Sequence, residues 1–348
     1  MRGFPWVFAI PVPRGKARMT VRRPPLGPGA TALVLLVGGC EGVQSTLHPR
    51  GPQAEQIATL GWVMFAGAAA IFLLVMALIA FAWFRRPQRD WFGSSRLIVG
   101  GGLIFPTVTL TALLIYSIAP GGLAGRQAAP EHEIEVVGYQ WWWEVRYRDG
   151  NGDVAFTTAN EIRLPTGRPV RTRVSTADVI HSFWLPNLAG KIDMIPGRVN
   201  ELLLEASEAG TFRGQCAEYC GGPHTWMAFY AVAEPPDQFT RWFERQQEPA
   251  AEPQAALLQH GLEVFQAFGC GGCHAIRGTE AVGGFGPDLT HFGGRRTIGA
   301  GILDNTIENL EAWIADSQRI KPNNLMPPFD FIESEDLHAL AAYLKSLQ

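Results

Sequence analysis

Two short strings concentrate the reactive side chains of this chain. The first is Cys216-Ala217-Glu218-Tyr219-Cys220-Gly221-Gly222-Pro223-His224-Thr225-Trp226-Met227, and His181 belongs to an earlier turn after Asp178-Val179-Ile180. Thiolate, thioether and imidazole are donors that select copper over hard cations, and two thiolates suffice to bridge two coppers. A loop held between two strands would grip such a metal rigidly. A structural zinc site would use Cys216, Cys220, His224 and His181 as a tetrahedral set, which leaves Met227 without a role. A Cys216–Cys220 disulfide in an oxidising compartment is another reading. So is a thioredoxin-type copper chaperone, whose motif would sit in a βα turn that the surrounding pattern lacks. Asp178 is either a turn residue or a group that orients His181, and it stands outside the ligand set.

The second string, Cys270-Gly271-Gly272-Cys273-His274, is a c-type haem attachment sequence. Its spacing lets two thiols add to the two vinyl groups of haem and sets the following histidine under the iron. Met326, within Asn324-Leu325-Met326-Pro327-Pro328, is the expected second axial ligand, and a thioether there raises the reduction potential. No other methionine lies beyond Met227, so the alternatives are His291 first, then His338 or an open position. His48, His132 and His260 have no partner pattern and receive no role.

These strings need elements to export, anchor and position them. The chain has 348 residues, enough for two domains and an anchor, and its net charge of −3 gives no basic field for nucleic acid. The odd cysteine count of 5 means that the cysteines cannot all pair with one another. Arg22 and Arg23, the apolar run Ala30 to Val37, and Val37-Gly38-Gly39-Cys40 read as a secretory signal, with Met19 as an alternative start. The small pair before Cys40 resembles a bacterial lipobox, which would make Cys40 the lipidated first residue of the mature chain. Ordinary cleavage nearby is the other reading. Residues 1–39 are then a leader and 40–56 an anchored segment.

Ile57 to Phe84 and Leu97 to Ile118 are apolar and long enough to cross a ~30 Å hydrocarbon layer, so a transmembrane hairpin is expected over 57–118. Gly100-Gly101-Gly102 and Pro106 in the second span call for a packed neighbour helix, hence a partner subunit. The cationic stretch from Arg85 to Arg96 belongs in the cytoplasm, which places everything after about Pro120 outside a bacterial inner membrane. Short β-rich runs at 134–137, 143–147, 161–164, 170–174, 201–204 and 227–232 predict a cupredoxin-like β-sandwich or barrel over 131–234. Trp142 and Trp143 are read as packing residues. A helix from Pro235 to Arg245 and the spacer Gln246 to Pro253 form a linker, 235–254. Leu258, Leu262 and Phe265 then share a helical face that opens a small all-α cytochrome c domain over 255–348. Within it Thr306 is expected to cap a helix over 307–315, and Ser334 one over 336–347.

The strings CAEYCGGPHTWM, HSFWLPNLAGKIDMIPGR and GYQWWW resemble subunit 2 of cytochrome c oxidase over roughly residues 57–233, and residues 255–348 resemble cytochrome c. The combination is similar to the subunit 2 of a caa3-type haem-copper oxidase. The resemblance implies a dinuclear CuA centre in which Cys216 and Cys220 bridge both coppers. His181 and a weakly bound Met227 would complete one copper, and His224 with the Glu218 carbonyl the other. It further implies that the Glu218 side chain faces a magnesium site shared with subunit 1, and that electrons enter through Trp141. Subunits 1 and 3 would be partners, and a soluble cytochrome c or a bc-type complex the donor. Oxygen reduction to water and most proton translocation would belong to subunit 1, because neither span carries a histidine cluster. The family often has a glutamate where the second span begins; Ser94-Ser95-Arg96-Leu97 has none, which puts proton uptake through this subunit in doubt. The rival readings are the copper subunit of a nitric oxide reductase and a standalone membrane-anchored redox carrier.

Overall fold

The computed structural model describes residues 41–85, 94–118 and 130–348. The expected leader, the expected lipidation site Cys40 and residues 86–93 and 119–129 lie outside the described residues. Helices α1 (Pro52–Arg85) and α2 (Ser95–Ile118) are both long and apolar enough to cross a membrane. With 34 residues α1 is roughly 50 Å long, and it is apolar around its whole circumference as a span must be. Ser94 caps α2 by accepting from the Leu97 amide at 3.3 Å. The helix then widens into a π turn over Gly100–Ile104, where the Phe105 amide bonds back to Gly100. Pro106 has no N–H to offer the carbonyl four residues earlier, and the glycine triplet adds no side chain to resist the wider turn.

The segment before α1 is fastened to the β domain. Asn187 Nδ2 donates to the carbonyls of Gly42, Ser45 and His48 at 3.0, 3.1 and 2.8 Å. The chain enters its first span from a fixed point.

Ten strands form two five-stranded sheets. The first contains β1 (His132–Tyr139), β2 (Trp142–Arg148), β3 (Val154–Ala159), β5 (Val170–Thr176) and β8 (Asn200–Leu204), in the order β3-β2-β1-β5-β8. The second contains β4 (Glu161–Pro165), β6 (His181–Trp184), β7 (Ile192–Met194), β9 (Gly210–Cys216) and β10 (Ala228–Glu234), in the order β4-β10-β9-β6-β7. Alternate residues of β2 and β9 are buried, as expected where one face of each strand meets the other sheet. Trp143 meets Phe229 edge-on at 5.2 Å and Phe183 at 5.9 Å, and those two phenylalanines stack at 4.7 Å. Gly214 lets the Phe229 ring lie flat on β9, since a Cβ there would stand 2.2 Å from the ring.

Four strands escape the pattern of the sequence: β3, β6, β7 and β9. Strands β6 and β7 are too short to show alternation, and Thr157-Thr158 in β3 and Gly210 and Gly214 in β9 break up the apolar pattern there. His181 therefore opens strand β6 instead of sitting in a turn, and Met227 ends the loop before β10.

Helix α3 (Pro236–Gln247) buries Phe239 and Trp242 against the sandwich, with Trp242 edge-on to Tyr147 at 5.1 Å. The following spacer is tied down by the helical domain: the Ala250 amide donates to Arg277 O at 2.9 Å, and His291 Nε2 pairs with Glu248 O at 3.0 Å.

Helices α4 (Ala256–Ala267), α5 (Ile307–Ala315), α6 (Ser317–Ile320) and α7 (Ser334–Ser346) make up that domain. Its buried α4 face is Gly261, Val264 and Phe265, while Leu258 and Leu262 are only half-buried. Gly261 is essential to the crossing of α4 and α7, because a Cβ there would lie 2.1 Å from the Ala339 carbonyl. Thr306 caps α5 through the Asn309 amide. At α7 the expected cap fails: Ser334 is already helical, and the cap position falls to Glu333, which makes no side-chain bond.

Candidate functional site

The candidate metal-ligating side chains converge where β9 gives way to β10. The Cys216 amide donates to Met227 O at 2.9 Å, closing the base of the intervening loop. Cys216 Sγ and Cys220 Sγ are 3.8 Å apart and both thiols are free. Around them stand His181 Nδ1 at 3.8 Å from Cys216 Sγ, His224 Nδ1 at 3.5 Å from Cys220 Sγ, and Met227 Sδ at 3.8 Å from Cys220 Sγ. The Glu218 carbonyl is 3.2 Å from Cys216 Sγ, while its side chain is exposed. Among the described residues, His181, Cys216 and Cys220 form the one group of three metal-ligating side chains within a common 4.8 Å.

The loop runs between two antiparallel strands, not through a βα turn, which excludes the thioredoxin-type reading. A four-donor zinc set leaves the Met227 sulfur and the Glu218 carbonyl inside the same cluster unexplained. The thiol pair shares a proton: hydrogen bonding from Cys220 drives the Cys216 pKa down, and that partner together with burial drives Cys220 up. One sulfur is thus held as a thiolate, ready for a soft cation.

His181 is aimed by its surroundings. Its Nε2 pairs with Asp178 Oδ1 at 2.8 Å, leaving Nδ1 turned to Cys216, and the other Asp178 oxygen accepts from the Gln140 amide at 2.7 Å. Asp178 is therefore an orienting group as well as a turn residue. Gly138 leaves room for the ring, since a Cβ would stand 2.9 Å from His181 Cδ2.

The second site is an apolar pocket in the helical domain whose wall includes Cys270 and Cys273. His274 Nδ1 pairs with Pro287 O at 2.8 Å, and burial pulls its pKa down. The imidazole is therefore neutral with Nε2 left as the acceptor, the state that binds iron. Gly286 lies beneath the ring; a Cβ would approach His274 Cε1 to 2.5 Å. Met326 lines the pocket and is anchored by its amide to Asn324 Oδ1 at 2.9 Å and by its carbonyl to Ser317 Oγ and Gln318 Nε2. His291, the alternative ligand, is absent from the pocket wall and spends Nε2 on the spacer. His338 pairs with Glu311 at 2.6 Å. Arg295 also lines the pocket, fully buried, with its Nε unbonded. Two free thiols, a neutral imidazole, a thioether and an unspent guanidinium nitrogen in an apolar cleft fit haem c with its acidic propionates.

The two sites share a wall. Gln140, Trp141, Trp142 and Asn160 of the sandwich line the pocket of the helical domain. Trp141 Nε1 and Gln140 Nε2 both donate to the Cys220 carbonyl, at 3.0 and 2.7 Å. The Ala228 amide donates to Ala300 O at 3.0 Å, and the Arg296 amide to Glu161 Oε2 at 3.0 Å. Gly138 and Gln140 lie within the string GYQWWW but received no role from it, and Gly286 and Arg295 belong to no motif, because neither a required absence of Cβ nor a long-range contact is written in local spacing.

A cupredoxin-like sandwich that follows two apolar helices and precedes a small helical domain with a CxxCH turn defines a membrane-anchored electron-transfer protein. Residues 155–233 match the periplasmic domain of cytochrome c oxidase subunit II, and residues 258–348 match cytochrome c. The chain belongs to the cytochrome c oxidase subunit 2 family: it is 36% identical to the subunit 2 of Alkalihalophilus pseudofirmus over 91% of this chain and 95% of that one. The subunit 2 of Bacillus subtilis is 30% identical over 71% of this chain and 70% of that protein. A solved periplasmic domain of subunit II of cytochrome oxidase from Bradyrhizobium japonicum is 32% identical, with 35% of this chain and 97% of that chain covered and a TM-score of 0.33.

Proposed function

We propose that this chain is the subunit through which electrons enter a respiratory cytochrome c oxidase, taking them from a cytochrome c or a bc-type complex and delivering them to a catalytic subunit that reduces oxygen. In this reading Cys216, Cys220, His181, His224, Met227 and the Glu218 carbonyl would hold a dinuclear CuA centre, the two thiolates being shared between its coppers. Cys270 and Cys273 would attach haem c covalently, and His274 and Met326 would ligate its iron. When bound, haem and copper supply reversible one-electron acceptors. The chain's own residues hold those acceptors rigidly, so that little rearranges when charge changes.

One observation carries the reading: Trp141 lines the pocket of the CxxCH domain while its indole donates to the backbone of Cys220. A single side chain thereby bridges the two sites. The exposed Glu218 side chain supports a magnesium site shared with subunit 1. Subunits 1 and 3 are the membrane partners against which the apolar faces of α1 and α2 would pack, with the soluble domains on the periplasmic side. Oxygen reduction and most proton translocation then belong to subunit 1. Tethering the cytochrome replaces diffusional docking with an effective concentration in the ~mM range.

The test is purification of the tagged chain from its native membrane, followed by metal, haem and oxygen-uptake assays. The reading requires two coppers for each covalent haem, co-isolation of a multi-haem subunit and oxygen consumption with reduced cytochrome c. One copper or zinc would overturn the metal assignment. Nitric oxide turnover without oxygen uptake would favour a nitric oxide reductase, and isolation of the chain alone would make it a free-standing carrier.

A further inference from the structure

Lys321 is buried to 2% exposure at the junction of the two domains. Lysine is almost never fully buried without a charged partner, because stripping water from an ammonium costs several kcal/mol. Here the three donors of the ammonium are spent on three carbonyls: Trp141 O at 2.7 Å, Trp226 O at 2.9 Å and Gly299 O at 2.9 Å. Two of these belong to the sandwich and one to the helical domain. Burial depresses the Lys321 pKa to about 7.

The attachments extend in both directions. Trp226 is the neighbour of Met227 in the metal loop. On the other side the Lys321 carbonyl accepts from Asn324 Nδ2 at 2.7 Å, and Asn324 Oδ1 in turn accepts from the Met326 amide at 2.9 Å. The Lys321 amide is pinned to Ser317 O at 2.8 Å. One lysine thus joins the segment that carries the thioether of the metal cluster to the segment that carries the thioether of the haem pocket, and it holds the Trp141 backbone between them. Next to it Asn323 packs against Gly222 of the metal loop, where a Cβ would lie 3.1 Å from its Nδ2. An apolar side chain would fill this space as well without the desolvation cost, but it would leave three converging carbonyls unbonded.

We propose that Lys321 is a positioning residue that latches the haem-bearing domain onto the copper-bearing domain. The latch rests on the functional reading above and adds to it the residue that fixes the geometry between the two centres.

The experiment compares wild type with Lys321→Met and Lys321→Arg in the intact complex. Redox titration follows the haem band and the near-infrared band of the copper pair. Rapid mixing gives the rate of haem-to-copper equilibration, and hydrogen exchange reports the Ala228 amide, which is bonded across the junction. The potentials give the driving force, so that a change in rate is separated from a change in potential. In K321M transfer should slow by about tenfold or more at matched driving force, and the Ala228 amide should exchange faster. K321R lacks the compact three-carbonyl fit, so transfer should slow there as well. An unchanged rate or unchanged exchange in K321M overturns the proposal. Should K321M lose its cofactors, K321R decides, and an unchanged rate there overturns the latch. Absence of copper or haem from the wild-type protein would instead sink the functional reading itself.

Discussion

The indole of Trp141 donates to the carbonyl of Cys220 at 3.0 Å while the same side chain forms part of the wall of the haem-attachment pocket. A metal-loop cysteine and the cytochrome cleft are thereby joined through one side chain and one hydrogen bond. Gln140 donates to the same carbonyl, so this oxygen is held from two sides and the wall cannot shift without disturbing the metal loop.

Trp141→Phe keeps an aromatic wall but deletes the donor, a loss of about 1 kcal/mol of local stabilisation. Copper and haem contents should stay at wild-type values while electron transfer between the two sites slows. Rapid-mixing absorbance in the purified complex measures both, and an unaltered rate would remove Trp141 from the route.

Replacing Cys216 or Cys220 by serine removes one of the two sulfurs proposed to bridge the coppers. Copper content should collapse while covalent haem is retained, because the pocket of Cys270 and Cys273 is built by other elements. The copper-to-haem ratio of the purified variants is the readout, and full copper occupancy in either would refute the bridging role.

Asp178→Asn weakens the acceptor that turns Nδ1 of His181 toward Cys216. Copper affinity should drop by about 10-fold or more, as for other partners of metal-bound histidines. Competition with a chelator reads this directly; an affinity equal to wild type would make Asp178 a turn residue only.

Gly286→Ala forces a methyl group to within 2.5 Å of the His274 ring. Overpacking of this kind costs about 1–3 kcal/mol. The displaced imidazole should lower haem incorporation and alter the axial-ligand absorbance bands, whereas the copper bands should be unaffected.

A pH dependence follows from His260, whose Nε2 lies 2.7 Å from Asp336 Oδ1 and joins α4 to α7. The Asp336 carboxylate raises the His260 pKa above its ordinary 6.5. The charged form is the one the folded state favours, so the stabilisation is complete below 6.5 and disappears as pH rises through the raised value. Melting of the cytochrome domain, followed by its haem band, should shift downward over that interval. In His260→Gln the shift should vanish, and its persistence would assign the effect to another group.

Residue order alone determined the chemistry. Soft donors at short spacing in residues 216–227 and the CxxCH turn at 270–274 are local patterns, and local patterns survive without a fold. So do the apolar lengths of α1 and α2, since a span is recognised by the solvent it must match. Six strands and the helices around the haem string were legible because their burial repeats at a period of two or 3.6 residues. The tertiary structure alone decided what depends on distant segments meeting. It turned His181 from a turn residue into the start of a strand, gave Asp178 its orienting task, spent His291 on the spacer and moved the cap of α7 to Glu333. It also brought Lys321 against Trp141 and Trp226 from positions 180 and 95 residues away. Such contacts have no period and no motif, because their energy comes from a buried amine meeting carbonyls that only the assembled domains bring together.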